Sequence, residues 1–279
     1  QWREAATLVL LRTLQNADDI LQHAEMVNEV HHARLLCEQV ETFDQALLLA
    51  RIALYDHARG RYGPARVAWQ TVVTKLEHVL GAEHPDTLTS IGNLAATLQA
   101  MGDLPRARAM QEQVLVTHQR VQGAEHPATM TSMNNLASTL QAMGDLHGAR
   151  AIHEKELAIC QRVLGAEHPQ TLISMGNLAG TLRVMGDLPG ARTMQEQVLA
   201  IHQRVLGAEH PDTLTSMNNL AGTLQAMGDL TGARAMHEKD LSICQRVLGA
   251  EHPDTLISMN NLARTLQAMG DLPGARAMQ

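Results

Sequence analysis

Two short phrases return along this chain at one fixed interval. Gly-Ala-Glu-His-Pro begins at residues 81, 123, 165, 207 and 249, and Met-Gly-Asp-Leu begins at 101, 143, 185, 227 and 269. Both series step by 42 residues with no insertion or deletion. A period in this range marks a stack of supersecondary units, none able to bury its apolar face alone. Neighbouring copies must bury one another, so the chain is constrained to an array rather than one central core.

The unit itself reads as a helical hairpin. Leu88, Ile91, Leu94, Ala95 and Leu98 recur at helical spacing and predict one apolar stripe. Pro85 suits a first helical turn, where its missing N–H costs nothing, and Asp86 favours the positive helix start. Gly102 is placed to end this helix in the left-handed region, and Asp103 to cap a second one. The second helix carries Ala107, Met110, Val114 and Val121 on one face, with Arg120 near its negative pole and Gly123 closing it. Each unit is therefore helix, tight turn, helix, short loop.

A weaker copy precedes these. Gly60, Tyr62, Ala65 and Arg66 sit 42 residues before Gly102, Leu104, Ala107 and Arg108, and Thr42 with Gln45 has capping-box spacing. Units are expected to start near 43, 85, 127, 169, 211 and 253, the last truncated, giving a solenoid over residues 43–279. Residues 1–42 look helical but out of register, with one segment near 2–15 and another after Asn16; they cap the array or end a preceding domain. A second period lies inside the first. Gln-Glu-Gln-Val-Leu recurs at 111–115 and 195–199, His-Glu-Lys at 153–155 and 237–239, and Cys160 and Cys244 alternate with His118 and His202. This 84-residue period is expected to record duplication of hairpin pairs, without chemical meaning.

The order Leu-Gly-x-Glu-His-Pro-Asp, then Asn-Leu-Ala, then Gly-Asp-Leu, then Ala-Arg resembles the 42-residue class of tetratricopeptide repeats, as in kinesin light chains. Similar arrays form the C-terminal part of bacterial signalling proteins that carry an NB-ARC or NACHT module. The resemblance implies an all-α fold, a right-handed superhelical solenoid of antiparallel helix hairpins, with first helices lining a concave groove. It implies peptide or protein binding without catalysis. Two departures stand out: repeats from residue 85 onward pack with Leu, Met and Val where the family uses aromatics, and no coiled-coil heptad accompanies the array. No Gly-rich phosphate loop occurs, so a nucleotide-binding module would lie outside this chain.

Mapped onto the first helices, the family's groove positions form columns of carboxamides. One reads Asn93, Asn135, Asn177, Asn219, Asn261; its neighbour reads Gly92, Asn134, Gly176, Asn218, Asn260. Further along come Gln99, Gln141, Arg183, Gln225 and Gln267, and then Ala96, Ser138, Gly180, Gly222 and Arg264. A carboxamide both donates and accepts, so a ladder of them can pair with an extended peptide backbone; in kinesin light chains the equivalent asparagines hold cargo peptides. The same Asn can instead lock neighbouring hairpins together. The column shared by all five units leaves both roles open. The alternating column favours ligand contact, because a required structural bond should not vanish from every second unit. Arg183 and Arg264 break their columns and would suit an acidic ligand group, or simply stand in solvent.

Other chemistries are poorly supplied. The formal charge of −7 opposes nucleic-acid binding, which needs a basic surface. The aromatics, Trp2, Phe43, Tyr55, Tyr62 and Trp69, all precede Gln70, so no base-stacking platform follows. Charged and polar residues interrupt every apolar run, so no membrane span is expected. The loop histidines His84, His126, His168, His210 and His252 stand a whole repeat apart and cannot share a metal; capping or packing the loop is the expected role. His153-Glu154-Lys155-Glu156-Leu157 lacks the second His of a zinc motif. The odd cysteine count, without CxxC spacing, suits free thiols in a reducing, cytoplasmic setting. No cofactor, metal or catalytic set is expected. Because the chain begins at Gln1 and stops at Gln279 within a repeat, it reads as an excised segment. Two functions follow: a scaffold binding a peptide or protein in its groove, or a spacer whose ends stack on other copies.

Overall fold

The structure is a computed structural model, and it describes residues 2–15, 17 and 26–278. Among them every regular element is an α-helix. In chain order these are α1 Trp2–Thr13, α2 Val27–Leu36, α3 Phe43–Ala58, α4 Tyr62–Leu80, α5 Pro85–Ala100, α6 Leu104–Val121 and α7 Pro127–Ala142. There follow α8 Leu146–Val163, α9 Pro169–Met185, α10 Leu188–Val205, α11 Pro211–Ala226, α12 Leu230–Val247, α13 Pro253–Ala268 and α14 Leu272–Ala277. The segment expected after Asn16 lies in part, at 18–25, outside the described residues.

The helices group into two compact units, residues 1–145 and 146–279. In the first, α1 and α2 pack on α3 through Leu14, Met26, Val30, Leu48, Ile52 and Tyr55. From α3 onward each helix packs on the next, and Trp69, Val72 and Leu76 of α4 meet Leu94 and Leu98 of α5. The second unit repeats this order from α8 to α14. Leu157 joins Leu172, Leu178 and Val198 in one cluster, and Leu199, Met217, Leu220 and Leu224 form another. Both units are solenoid segments of antiparallel hairpins.

The recurring loop phrase has a mechanical explanation. Gly81 turns the chain at φ +91°, a conformation that a side chain would strain. Its carbonyl accepts a bond from the buried Thr87 hydroxyl at 2.9 Å, and the same Thr-to-Gly bond recurs at Thr129, Thr171, Thr213 and Thr255. His84 is the N-cap of α5: its Nδ1 accepts the Asp86 N–H at 3.2 Å. His126, His168, His210 and His252 do the same for α7, α9, α11 and α13. Each imidazole thus satisfies one of the donors that a helix start leaves open.

Two sequence expectations change. Asp103 makes no side-chain cap, whereas Asp187, Asp229 and Asp271 accept the N–H of Gly190, Gly232 and Gly274 at 2.9–3.0 Å. A Cβ at those glycines would come within about 2.6 Å of the carboxylate. Arg106 occupies that position after Asp103 and meets its carboxylate as a surface pair at 3.5 Å. Val121, placed on the buried face by its spacing, is 49% exposed, and His118 is the buried residue in that turn. The capping box at Thr42 and Gln45 forms in full.

Candidate ligand-binding face

The first helices distribute their polar columns unevenly between packing and solvent. Gln99 is committed within the protein: its amide donates to the Ser138 hydroxyl at 3.2 Å, and its carbonyl accepts from Thr139 at 3.0 Å. This clamp ties the end of α5 to α7, and one hairpin earlier His57 meets Thr97 in the same way at 3.1 Å. Gln141 and Gln225 are half-buried, while Arg183 and Arg264 are exposed. In the shared column Asn93, Asn177 and Asn261 are half-buried, and Asn135 and Asn219 are exposed. The backbone carbonyls of Asn93, Asn177, Asn219 and Asn261 accept from the threonine one turn on, while Thr139, one turn after Asn135, donates to Gln99 instead.

The alternating column follows a different logic. Asn218 of α11 bridges two buried groups on α12: its amide donates to Asp240 Oδ2 at 3.1 Å, and its carbonyl lies 3.2 Å from His237 Nδ1. The Asn261 amide reaches the same carbonyl at 3.5 Å. Asp240 is fully buried and His237 nearly so, and that burial pulls the imidazole below its ordinary titration range. In sequence, Asn134, His153 and Glu156 reproduce the spacing of Asn218, His237 and Asp240 with one acid exchanged. Glu156 is likewise fully buried and accepts from Ser174 at 3.0 Å. Asn134 is half-buried, and Asn260 is exposed.

Where the column carries glycine, the partners change together. Gly92 and Gly176 are matched on the second helices by Gln111 and Val114, and by Gln195 and Val198. One turn further, His118 and His202 meet Ser132 and Ser216 at 2.8 Å, where the other hairpins place Cys160 and Cys244 against Ser174 and Ser258 at 3.5 Å. The 84-residue period is therefore chemical: Gly, Gln, Val and His alternate with Asn, His, Glu or Asp, and Cys. A structural bond can vanish from alternate hairpins because both of its ends vanish.

Without an Asn side chain, the face between α5, α6 and α7 holds a half-enclosed cleft of about 290 Å3. Leu88, Gly92 and Val114 form apolar parts of its lining, Asn93 and Asn135 contribute carboxamides, and Gln111 and His118 reach in from α6. Gln111 is 4% exposed, and its Oε1 accepts no hydrogen bond. The second-helix residues are what sequence reasoning missed; their signal was the double period, read there as history alone.

Burial raises the Cys160 and Cys244 thiols and carries Cys37 up to about 11, so each is held protonated and unreactive. Among the described residues no cluster of three or more His, Cys, Asp or Glu side chains could hold a metal ion, and no helix is long and apolar enough to cross a membrane.

These features define a class: an all-α hairpin-repeat scaffold whose first helices present a polar face. The chain belongs to the tetratricopeptide repeat family, whose profile matches residues 44–116, 89–155, 129–201, 175–239 and 214–279. A search of curated proteins finds no match. Among solved structures, the chain is similar to a Podosopora anserina protein assigned as a kinesin light chain of nearly identical TPR-like repeats. The identity is 35%, the alignment covers 70% of this chain and 93% of that one, and the TM-score is 0.62. BtubC (BKLC) from P. vanneervenii shares 21% identity over 78% of this chain and 87% of its own, with TM-score 0.65. NprR in complex with its cognate peptide NprX shares the fold at 12% identity, over 99% of this chain and 76% of its own, with TM-score 0.64.

Proposed function

We propose that this chain is a non-catalytic scaffold that binds an extended peptide or partner surface along its first helices, as the interaction arm of a cytoplasmic signalling protein. The observation that carries the reading is the cleft over α5 and α7, where Asn93 and Asn135 from successive hairpins line one recess. Such carboxamides can pair with a peptide backbone whatever its side chains. The cognate-peptide complex of NprR, a neighbour in fold, supports the same use of a helical array. Among the predicted residues, Asn93, Asn135, Asn177 and Asn219 are the proposed contacts, with Arg183 and Arg264 as exposed positions that select an acidic group. Gln99 and Asn218 act within the scaffold.

The test is selection of displayed random peptides on the full chain, followed by titration calorimetry of recovered peptides. Asn93→Ala with Asn135→Ala is expected to weaken binding about tenfold or more, because each lost amide leaves backbone groups unpaired. Unchanged affinity, with helicity and melting temperature preserved, rejects the assignment. A second reading, stacking of copies end to end, draws on the near-identity of the repeats, which lets a unit of one copy pack on a unit of another. A molar mass by light scattering that stays monomeric at high concentration would reject it.

A further inference from the structure

We infer that the Gly92 cleft is a side-chain subsite for a neutral ligand group that donates a hydrogen bond, and that alternate hairpins carry it. The inference rests on the groove-binding reading and adds which hairpins select side chains, and by what chemistry.

The orphaned acceptor carries the argument. A buried carbonyl without a donor costs free energy, so it is seldom left in place without a use. Gln111 Oε1 is such an atom, on a side chain that lines an open cleft. Gln195 Oε1, its equivalent 84 residues on, is buried and unpartnered as well, on a side chain 6% exposed. A second acceptor stands nearby. Ser132 donates its hydroxyl hydrogen to the Ala128 carbonyl at 2.9 Å, so at 2.8 Å it must accept from His118 Nδ1–H. A neutral imidazole protonated there presents Nε2 as an acceptor. Ser216 and Asp212 place His202 in the same tautomer.

The recess is therefore rich in acceptors, with apolar walls from Leu88 and Val114. No Asp, Glu, Lys or Arg lines it, so a charged ligand group would enter without a counter-ion. What fits is a side chain with an apolar stem and a neutral N–H or O–H tip, such as a carboxamide or a hydroxyl. In the α11–α12 hairpin the recess is filled: Asn218 sits where Gly92 leaves space and bonds His237 and Asp240 Oδ2, so the buried, unpartnered Asp240 Oδ1 faces no open cleft like that at Gly92. The subsite is thus restricted to Gly-bearing hairpins.

The probes are the peptides recovered by random-peptide display on the full chain. The expected result is enrichment of Asn, Gln, Ser or Thr at one fixed position. Gln111→Met should lower affinity about tenfold while raising the melting temperature, since it removes an unpaired polar atom without removing volume. Gly92→Asn, which fills the recess, should lower affinity equally. Replacing the peptide's donor residue by an isostere, Gln by Met or Thr by Val, should cost the same on the native chain and nothing on Gln111→Met. Peptides that bind Gln111→Met and Gly92→Asn as well as the native chain, yet lose affinity with Asn135→Ala, overturn the subsite and leave the groove reading standing. Recovery of no peptide overturns both.

Discussion

The hairpin α5–α6 and the hairpin α11–α12 share their Gly-Ala-Glu-His-Pro loops, their histidine caps and the positions of their apolar stripe, yet solve one packing problem oppositely. In α5–α6, glycine on the first helix faces Gln111 and Val114, and a recess remains open to solvent. In α11–α12, asparagine faces His237 and Asp240 and bonds to both, leaving Asp240 Oδ1 of that cluster without a partner. The difference shows that the identical repeats are a frame and the differing positions are coupled sets. A single residue from one set is out of place in the other, because buried polar groups need their partners and small residues need their neighbours' bulk.

The largest effect should come from mixing the sets. Val114→Asp alone puts a carboxyl at a position 4% exposed where Gly92 and Gln111 stand in place of the Asn and His that face Asp240. It should destabilise by about 3 kcal/mol, read by urea denaturation. Adding Gly92→Asn and Gln111→His, the counterparts of the Asn and His that face Asp240, should recover most of that loss. If the triple variant is no more stable than the single one, the sets are not coupled. The reverse exchange, Asn218→Gly, strips the buried Asp240 of its donor and should cost about 2 kcal/mol. Adding His237→Gln and Asp240→Val should restore stability to within about 1 kcal/mol and open a second recess.

Smaller effects should be equal in the two hairpins, because the loops are shared. His84→Ala and His210→Ala each remove an N-cap acceptor and should cost about 1 kcal/mol apiece. A marked inequality between them would mean that the loops differ in ways their geometry does not show. Smallest is the response to acid. Burial lowers His118 and His237, so the folded chain prefers both neutral. The unfolded chain binds more protons as pH falls through the ordinary histidine range near 6.5, so stability should decline below that pH and hold above it. Melting curves from pH 7.5 to pH 5 should show a shallower decline for His118→Gln and for His237→Gln. An unchanged slope in either would place the acid sensitivity elsewhere.

Much of the frame was legible. The stripe Leu88, Ile91, Leu94, Ala95, Leu98 is buried throughout, and Thr42 and Gln45 cap as their spacing predicts. Asp103 and Val121 departed for local reasons: Arg106 stands where the capping aspartates face glycine, and the buried face of α6 runs through His118. The polar columns were legible as columns but not in their use. Gln99 and Asn135 look alike in a repeat alignment, yet one clamps α7 and the other faces solvent.

The sequence by itself determined the period, the hairpin, its caps and its turns, because these follow from contacts within a few residues or from a pattern repeated five times. Only the tertiary structure decided which carboxamides are free. That depends on what the neighbouring helix offers at the same height, as Asp240 and His237 do for Asn218 and as nothing does for Gln111 Oε1. Hydrogen-bond capacity belongs to a residue, but its satisfaction belongs to the packing.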